Sequence, residues 1–321
     1  MLKLSIFEDF PRNEVKFDKV FATEEACKEY FFKMKWSEGF VCSRCGNQSY
    51  WKNNRDHFVC RTCGHQHSLT SETMLSGTKK PLKLWFKAIW LFTTKKTGES
   101  ASSIQGLLGV SYQTAWSWLQ KLRLCTVREN REKLSGRLEV DEFYLGGKEI
   151  GKQGRGAEKK VKVVAAVEKR GIKTGRIRLQ AIEDVSSKSL MSFIESNIED
   201  KSKLKTDGWS GYLPLNGKNF DHLREIISKS DEDASTLLPG VHLVASLFKR
   251  MILGIYQGRF DKKHVQKYLD EFTFRYNRRT SSAVGKKFFR MLEQVICTTP
   301  KPYWQIIGRK APDVPLWEIS T

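Results

Sequence analysis

The chain has 321 residues, more than one hydrophobic core usually serves, and its 40% hydrophobic and 12% aromatic content excludes disorder over most of that length. Lys and Arg number 56 against 36 Asp and Glu, a net charge of +20, so polyanions are the natural partners and nucleic acid leads among them. No apolar run of about 18 residues occurs and the N-terminal stretch has no signal-peptide pattern, which argues against a membrane protein and for a cytoplasmic one.

The first helix is expected within residues 17–34, with Thr23 as N-cap and Glu24 and Glu25 in the first turn. A stretch dense in Cys, Gly and aromatic residues follows, from Trp36 to His67. Here Cys42-x2-Cys45 and Cys60-x2-Cys63 form two pairs near the separation of four-cysteine zinc sites. Each pair runs into a glycine, Gly46 or Gly64, which lets backbone amides curl toward the thiolates. Four thiolates leave no open position for water, so zinc here is expected to be structural and to supply folding free energy. His57, His65 and His67 are rival ligands on paper, but surface or DNA contact suits them better.

Residues 81–92 have helical spacing after Pro81. The segment 100–123 breaks at Gly109 into two helical pieces, the second capped by Ser111, which is the size of a helix-turn-helix. Its second helix would offer Tyr112, Gln113, Ser117, Gln120, Lys121 and Arg123 to a major groove, with Lys95 and Lys96 on phosphates. An ordinary helical hairpin would look similar.

After the charged spacer 127–136 the pattern turns to strands at 137–147, 161–169 and 176–184. A helix at 186–198, a strand at 203–207 and helices over 239–257 and 262–276 complete an α/β order, so a mixed sheet covered by helices is expected. The loop 146–160 carries five Gly and five basic residues. Asp141 sits inside an apolar strand, where burying a carboxylate is costly unless it is paired or binds metal. Alternation puts Leu138, Val140 and Glu142 on one face and Glu139, Asp141 and Phe143 on the other. Asp207 ends a strand just before Gly208, a position that also suits a turn residue. In YLDEFTFRYNRR (268–279), Tyr268, Leu269, Phe272 and Tyr276 form a packing face, and Arg275, Arg278 and Arg279 are expected to face phosphates.

Taken in order, DEFYLGG, TDGWSGY, VHLVASLFKRMILGIYQG and YLDEFTFRYNRR resemble the bacterial DDE-type insertion-sequence transposases, in the zinc-ribbon branch called ISXO-like. The resemblance runs from about residue 20 to 290. It implies an RNase H-like α/β fold and metal-dependent cleavage at inverted terminal repeats. Joining of the freed 3′-hydroxyl to target DNA follows, by a two-metal polynucleotidyl transfer with Mg or Mn ions. Asp141 matches the first family aspartate and Asp207 the second. The third position falls on His242, 35 residues on, and Lys249 follows on the same helix face two turns later, with Arg250 beside it as a further DNA contact. Histidine in place of glutamate departs from the usual triad and suits manganese better than magnesium, unless Glu142, Asp184, Glu225 or Glu271 completes the site.

The implied organisation is an N-terminal helix and zinc ribbon over 1–75, a helix-turn-helix over 76–130, a catalytic domain over 131–300 and a tail over 301–321. Double-stranded DNA, both terminal repeats and target, is the expected partner. Assembly on DNA as a homodimer or larger, in a bacterial nucleoid, is implied as well. Two other readings stand beside this one: a non-catalytic DNA-binding regulator, and an RNase H-like nuclease or resolvase that cuts without joining ends.

Overall fold

The computed structural model describes residues 10–147, 160–225, 234–281 and 283–309. Contacts divide the chain into two units, one formed by residues 1–126 with 281–321 and the other by residues 127–280. The expected loop 146–160 falls mostly outside the described residues.

In the first unit, Asn13 and Thr23 cap helices α1 (Glu14–Val20) and α2 (Glu24–Lys35), their side-chain oxygens accepting from the amides of Lys16 and Ala26. Strands β1 (Tyr50–Lys52), β2 (Phe58–Cys60) and β3 (Gln66–His67) form a small antiparallel sheet over Trp36, Phe40 and Phe58. Helix α3 (Leu82–Thr94) starts at Pro81, which has no capping side chain. The Glu24 carboxylate fills that role from α2, accepting from the amides of Leu82 at 2.8 Å and Lys83 at 2.9 Å. Helix α3 is apolar on nearly all sides because it lies in the middle of its unit.

Helices α4 (Ala101–Leu108) and α5 (Tyr112–Leu124) meet at Gly109, whose φ of 63° is the left-handed conformation that ends a helix most readily at glycine. Trp118 of α5 stacks on Trp85 of α3 at 4.0 Å. The chain returns to this unit as α10 (Val284–Cys297), whose Phe288 meets the rings of Phe17, Phe21, Phe86 and Trp90. The short α11 (Tyr303–Ile306) follows.

The second unit is built on a five-stranded mixed sheet: β4 (Arg137–Leu145), β5 (Val161–Arg170), β6 (Lys173–Ile182), β7 (Lys203–Asp207) and β8 (Asp221–Glu225). Their order is β6-β5-β4-β7-β8. The first three strands pair antiparallel, and β7 and β8 run parallel to β4. Strand β5, paired on both sides, is buried on both faces, which is why VKVVAAV shows no alternation.

One face carries Phe143, Leu145, Val163 and Ala165 under α8 (Pro239–Tyr256) and α9 (Val265–Tyr276). The other carries Leu138, Val140, Val164 and Ala166 under α6 (Ser187–Asn197) and the 3-10 stretch Ser210–Gly217. A single turn, α7 (Ala234–Leu237), precedes α8. Helices thus flank the mixed sheet on both faces, the α/β fold that the RNase H-like resemblance implies.

Outer strand β6 is closed by side chains rather than by another strand. Asn277 bonds both the amide and the carbonyl of Ile177, and Gln266 bonds the amide of Ala181 and the carbonyl of Leu179. Each primary amide copies the donor and acceptor of a peptide group, so the edge offers little to a foreign strand.

Candidate active site and zinc centre

Within the ribbon, the sulfurs of Cys42, Cys45, Cys60 and Cys63 gather so that each lies within 4.8 Å of the others. The closest pairs are Cys42–Cys63 at 3.6 Å and Cys45–Cys60 at 3.5 Å. Four thiolates at about 2.3 Å from a tetrahedral zinc stand about 3.8 Å apart, so these sulfurs fit that ion. Gly46 and Gly64 have φ of 74° and 68°, and their amides bond the carbonyls of Cys42 and Cys60, which folds each pair into a knuckle.

His67 is not the surface residue expected of it. It is 1% exposed, with Nε2 3.4 Å from Cys42 Sγ, because β3 turns its side chain inward against Phe40. His65 lies against His67, and His57 contacts Gln66.

In the second unit the structure brings Asp141, Glu142 and Asp207 together, one carboxylate oxygen of each within 4.8 Å of the others. Asp141 and Glu142 lie in mid-β4, and Asp207 ends the neighbouring parallel strand β7. Glu142 and Asp207 are buried, 9% and 8% exposed, and Asp141 is half-buried. The Asp141 carboxylate accepts from the Glu142 amide at 2.8 Å, and that of Asp207 accepts from the Trp209 amide at 3.0 Å.

Fully buried Tyr212 donates its hydroxyl to Glu142 Oε2 at 3.3 Å. Burial, reinforced by the charges of Glu142, Asp141 and Asp207, holds this phenol well above its ordinary pKa, so it stays a donor. Three carboxylates this close and this buried repel one another unless cations or protons intervene, and oxygen donors of this kind fit hard divalent cations.

His242 is not a member of this acidic group. It lies in the first turn of α8, and its Nε2 is buried with no hydrogen-bond partner. Of the carboxylates weighed from sequence, Glu142 alone joins the aspartates. Asp184 instead turns the chain into α6, accepting from Ser186 and Ser189, which hold its pKa down at about 2. Glu225 pairs with Lys205 at 3.2 Å, and fully buried Glu271 pairs with Arg275 at 2.7 Å.

Several residues expected to meet DNA lie elsewhere. Arg123 and Gln120 are buried, 1% and 0% exposed, because their side of α5 turns into the helical core rather than outward. Lys121 is half-buried beside the Trp85 ring, whereas Tyr112 and Gln113 are exposed, Gln113 bonding Tyr303 at 2.8 Å. Ser117 bonds the Thr114 carbonyl.

Arg275 of α9, and Arg278 and Arg279 just after it, all have partners within the protein. Arg275 is taken by Glu271, Arg278 lies over Phe274 at 4.0 Å, and Arg279 bonds Thr174 and the carbonyls of Gly175 and Tyr276. Lys249 and Arg250 are exposed on α8, as Lys95 and Lys96 are after α3. Sequence reading overlooked Tyr212, whose role depends on a partner 70 residues away.

A five-stranded mixed sheet flanked by helices, with clustered acidic residues on two adjacent strands, is an arrangement that suits a nucleic-acid-processing enzyme. The model of the ISXO2-like transposase domain matches residues 133–277, and that of the transposase zinc-ribbon domain matches residues 22–71. The chain belongs to this family of zinc-ribbon DDE transposases, which implies DNA as its partner. No curated protein gave a significant match. Among the described residues, no helix is long and apolar enough to cross a membrane.

Proposed function

We propose that the protein cuts DNA at the ends of a mobile element and joins the freed 3′-hydroxyls to target DNA. The observation that carries this reading is the convergence of Asp141, Glu142 and Asp207 within 4.8 Å on the adjacent strands β4 and β7. When two Mg or Mn ions are bound, they supply positive charge for the attacking and leaving oxygens of an in-line phosphoryl transfer. Asp141 and Asp207 hold them, Glu142 contributes an oxygen under the control of Tyr212, and the buried Nε2 of His242 stands available as a further ligand.

Lys249 and Arg250 lie further along the same helix and bind the DNA backbone. Gln113 and Lys121 serve DNA reading in the first unit, and any remaining contact from Arg278 is to phosphate. The four thiolates hold a zinc ion that keeps the ribbon folded. Two copies acting together on paired element ends is the assembly this chemistry calls for.

The test is Asp207→Asn, assayed for strand transfer on DNA bearing the inverted repeats that flank the gene. Strand transfer is abolished and DNA binding retained if the reading holds; wild-type strand transfer refutes it.

A further inference from the structure

The LEVDE segment places three acidic residues within four positions, and Glu139 stands apart from the other two. It lies two residues before Asp141 on the β4 face covered by α8, and it is 4% exposed. Its Oε2 accepts from the amides of Gly240 at 2.6 Å and Val241 at 3.2 Å, and its Oε1 lies 3.0 Å from Lys169 Nζ. These partners account for both oxygens of the carboxylate.

Helix α8 needs such a partner. Its 18 residues begin after Leu238, which has no side-chain oxygen to offer, and Pro239 has no amide hydrogen. The next two amides, those of Gly240 and Val241, are the ones Glu139 takes, and its negative charge faces the positive end of the helix dipole. Contact is close: a Cβ at Gly240 would fall 2.7 Å from Glu139 Oε2 and 3.2 Å from Val167 Cγ1, so a side chain there would displace the carboxylate. The residue after Val241 is His242.

We infer that Glu139 is a positioning residue for the active site. Through the first turn of α8 it fixes that helix on the strand bearing Asp141, and so holds the His242 imidazole at a set offset from the carboxylates. It touches neither DNA nor the reacting groups. This inference rests on the assignment of Asp141, Asp207 and His242 to the site.

Glu139→Gln in the full-length, zinc-loaded protein keeps the side-chain shape and removes the charge. Hydrogen exchange in residues 238–246 is expected to rise at least about tenfold, with β5 and α6 unchanged. Since small misplacements of reacting groups are costly, kcat for strand transfer falls at least about tenfold, with KM for DNA within about twofold. In a His242→Ala background the same change costs less than about twofold more, because the two residues act as one unit.

Gly240→Ala, which displaces the contact with the charge intact, gives the same loss of kcat and covers the case in which Glu139→Gln fails to fold. Unchanged exchange in 238–246, an equal rise throughout the domain, or a fully additive double variant overturns the inference. Asp207→Asn assayed in parallel separates the two levels. Full activity there overturns the site assignment beneath the inference, whereas an inactive Asp207→Asn beside a fully active Glu139→Gln or Gly240→Ala overturns Glu139 alone.

Discussion

Tyr212 and Asp270 show how burial assigns roles to single titratable groups. Replacing Tyr212 by Phe keeps the ring in its core and removes the donor to Glu142 Oε2. Loss of one buried hydrogen bond is expected to cost about 1–2 kcal/mol of stability and, by loosening Glu142, about tenfold in strand transfer. Denaturation and single-turnover assays check the two effects separately. Asp270 is pushed up to about 6, chiefly by burial, against the lowering influence of the Gln266 amide and Arg131. Its folded pKa lies above its unfolded one, so its contribution to stability is complete below about pH 4 and is lost as pH rises through 6. Asp270→Asn therefore raises stability at pH 7 by about 1 kcal/mol after allowing for partial exposure, read as a higher thermal midpoint, and flattens the profile between pH 4 and 6. A midpoint lowered at pH 7 contradicts the sign.

At the scale of elements, the ribbon and strand β6 depend on two different substitutes for extensive packing. The ribbon has a small aromatic core and three short strands, so zinc removal by a chelator is expected to melt residues 36–71. Exchange mass spectrometry should show protection lost there and kept in β4–β6. His67→Ala removes the imidazole beside Cys42 Sγ and lowers zinc affinity by about tenfold or more, measured by competition with a chromophoric chelator. Along β6, Gln266→Ala with Asn277→Ala strips the bonds from Ile177, Leu179 and Ala181. Each unsatisfied backbone group costs about 1–3 kcal/mol, and the opened edge should raise concentration-dependent aggregation seen by light scattering.

Across the whole molecule, the fold does not follow chain order. Helix α10, drawn from sequence into the 131–300 stretch, packs its Phe288 and Phe289 among the aromatics of the first unit, and Gly285 admits Phe10 and Pro11 at close range. Truncation after Thr280 removes that packing, and burying two phenylalanines is worth several kcal/mol. The first unit of the truncated chain is expected to lose its cooperative melting transition while residues 127–280 keep theirs, as scanning calorimetry would show. With a net charge of +20, DNA affinity should also fall steeply with salt, the logarithmic slope counting the phosphates neutralised.

Local pattern alone determined a great deal. The two cysteine pairs, the caps at Thr23 and Ser111, the break at Gly109 and the alternation that separates Val140 from Asp141 are short-range signals, and the structure uses them as such. Polar β8 has no apolar alternation, so it was not legible. The outward reading of Arg123, Gln120 and His67 failed for a related reason: polar type indicates exposure only until the packing of its element turns the side chain inward. Tertiary structure decided that packing, and with it which members of an acidic segment do which work. Glu139 caps α8, whereas Asp141 and Glu142 join Asp207, because strand pairing and helix packing bring together residues tens of positions apart.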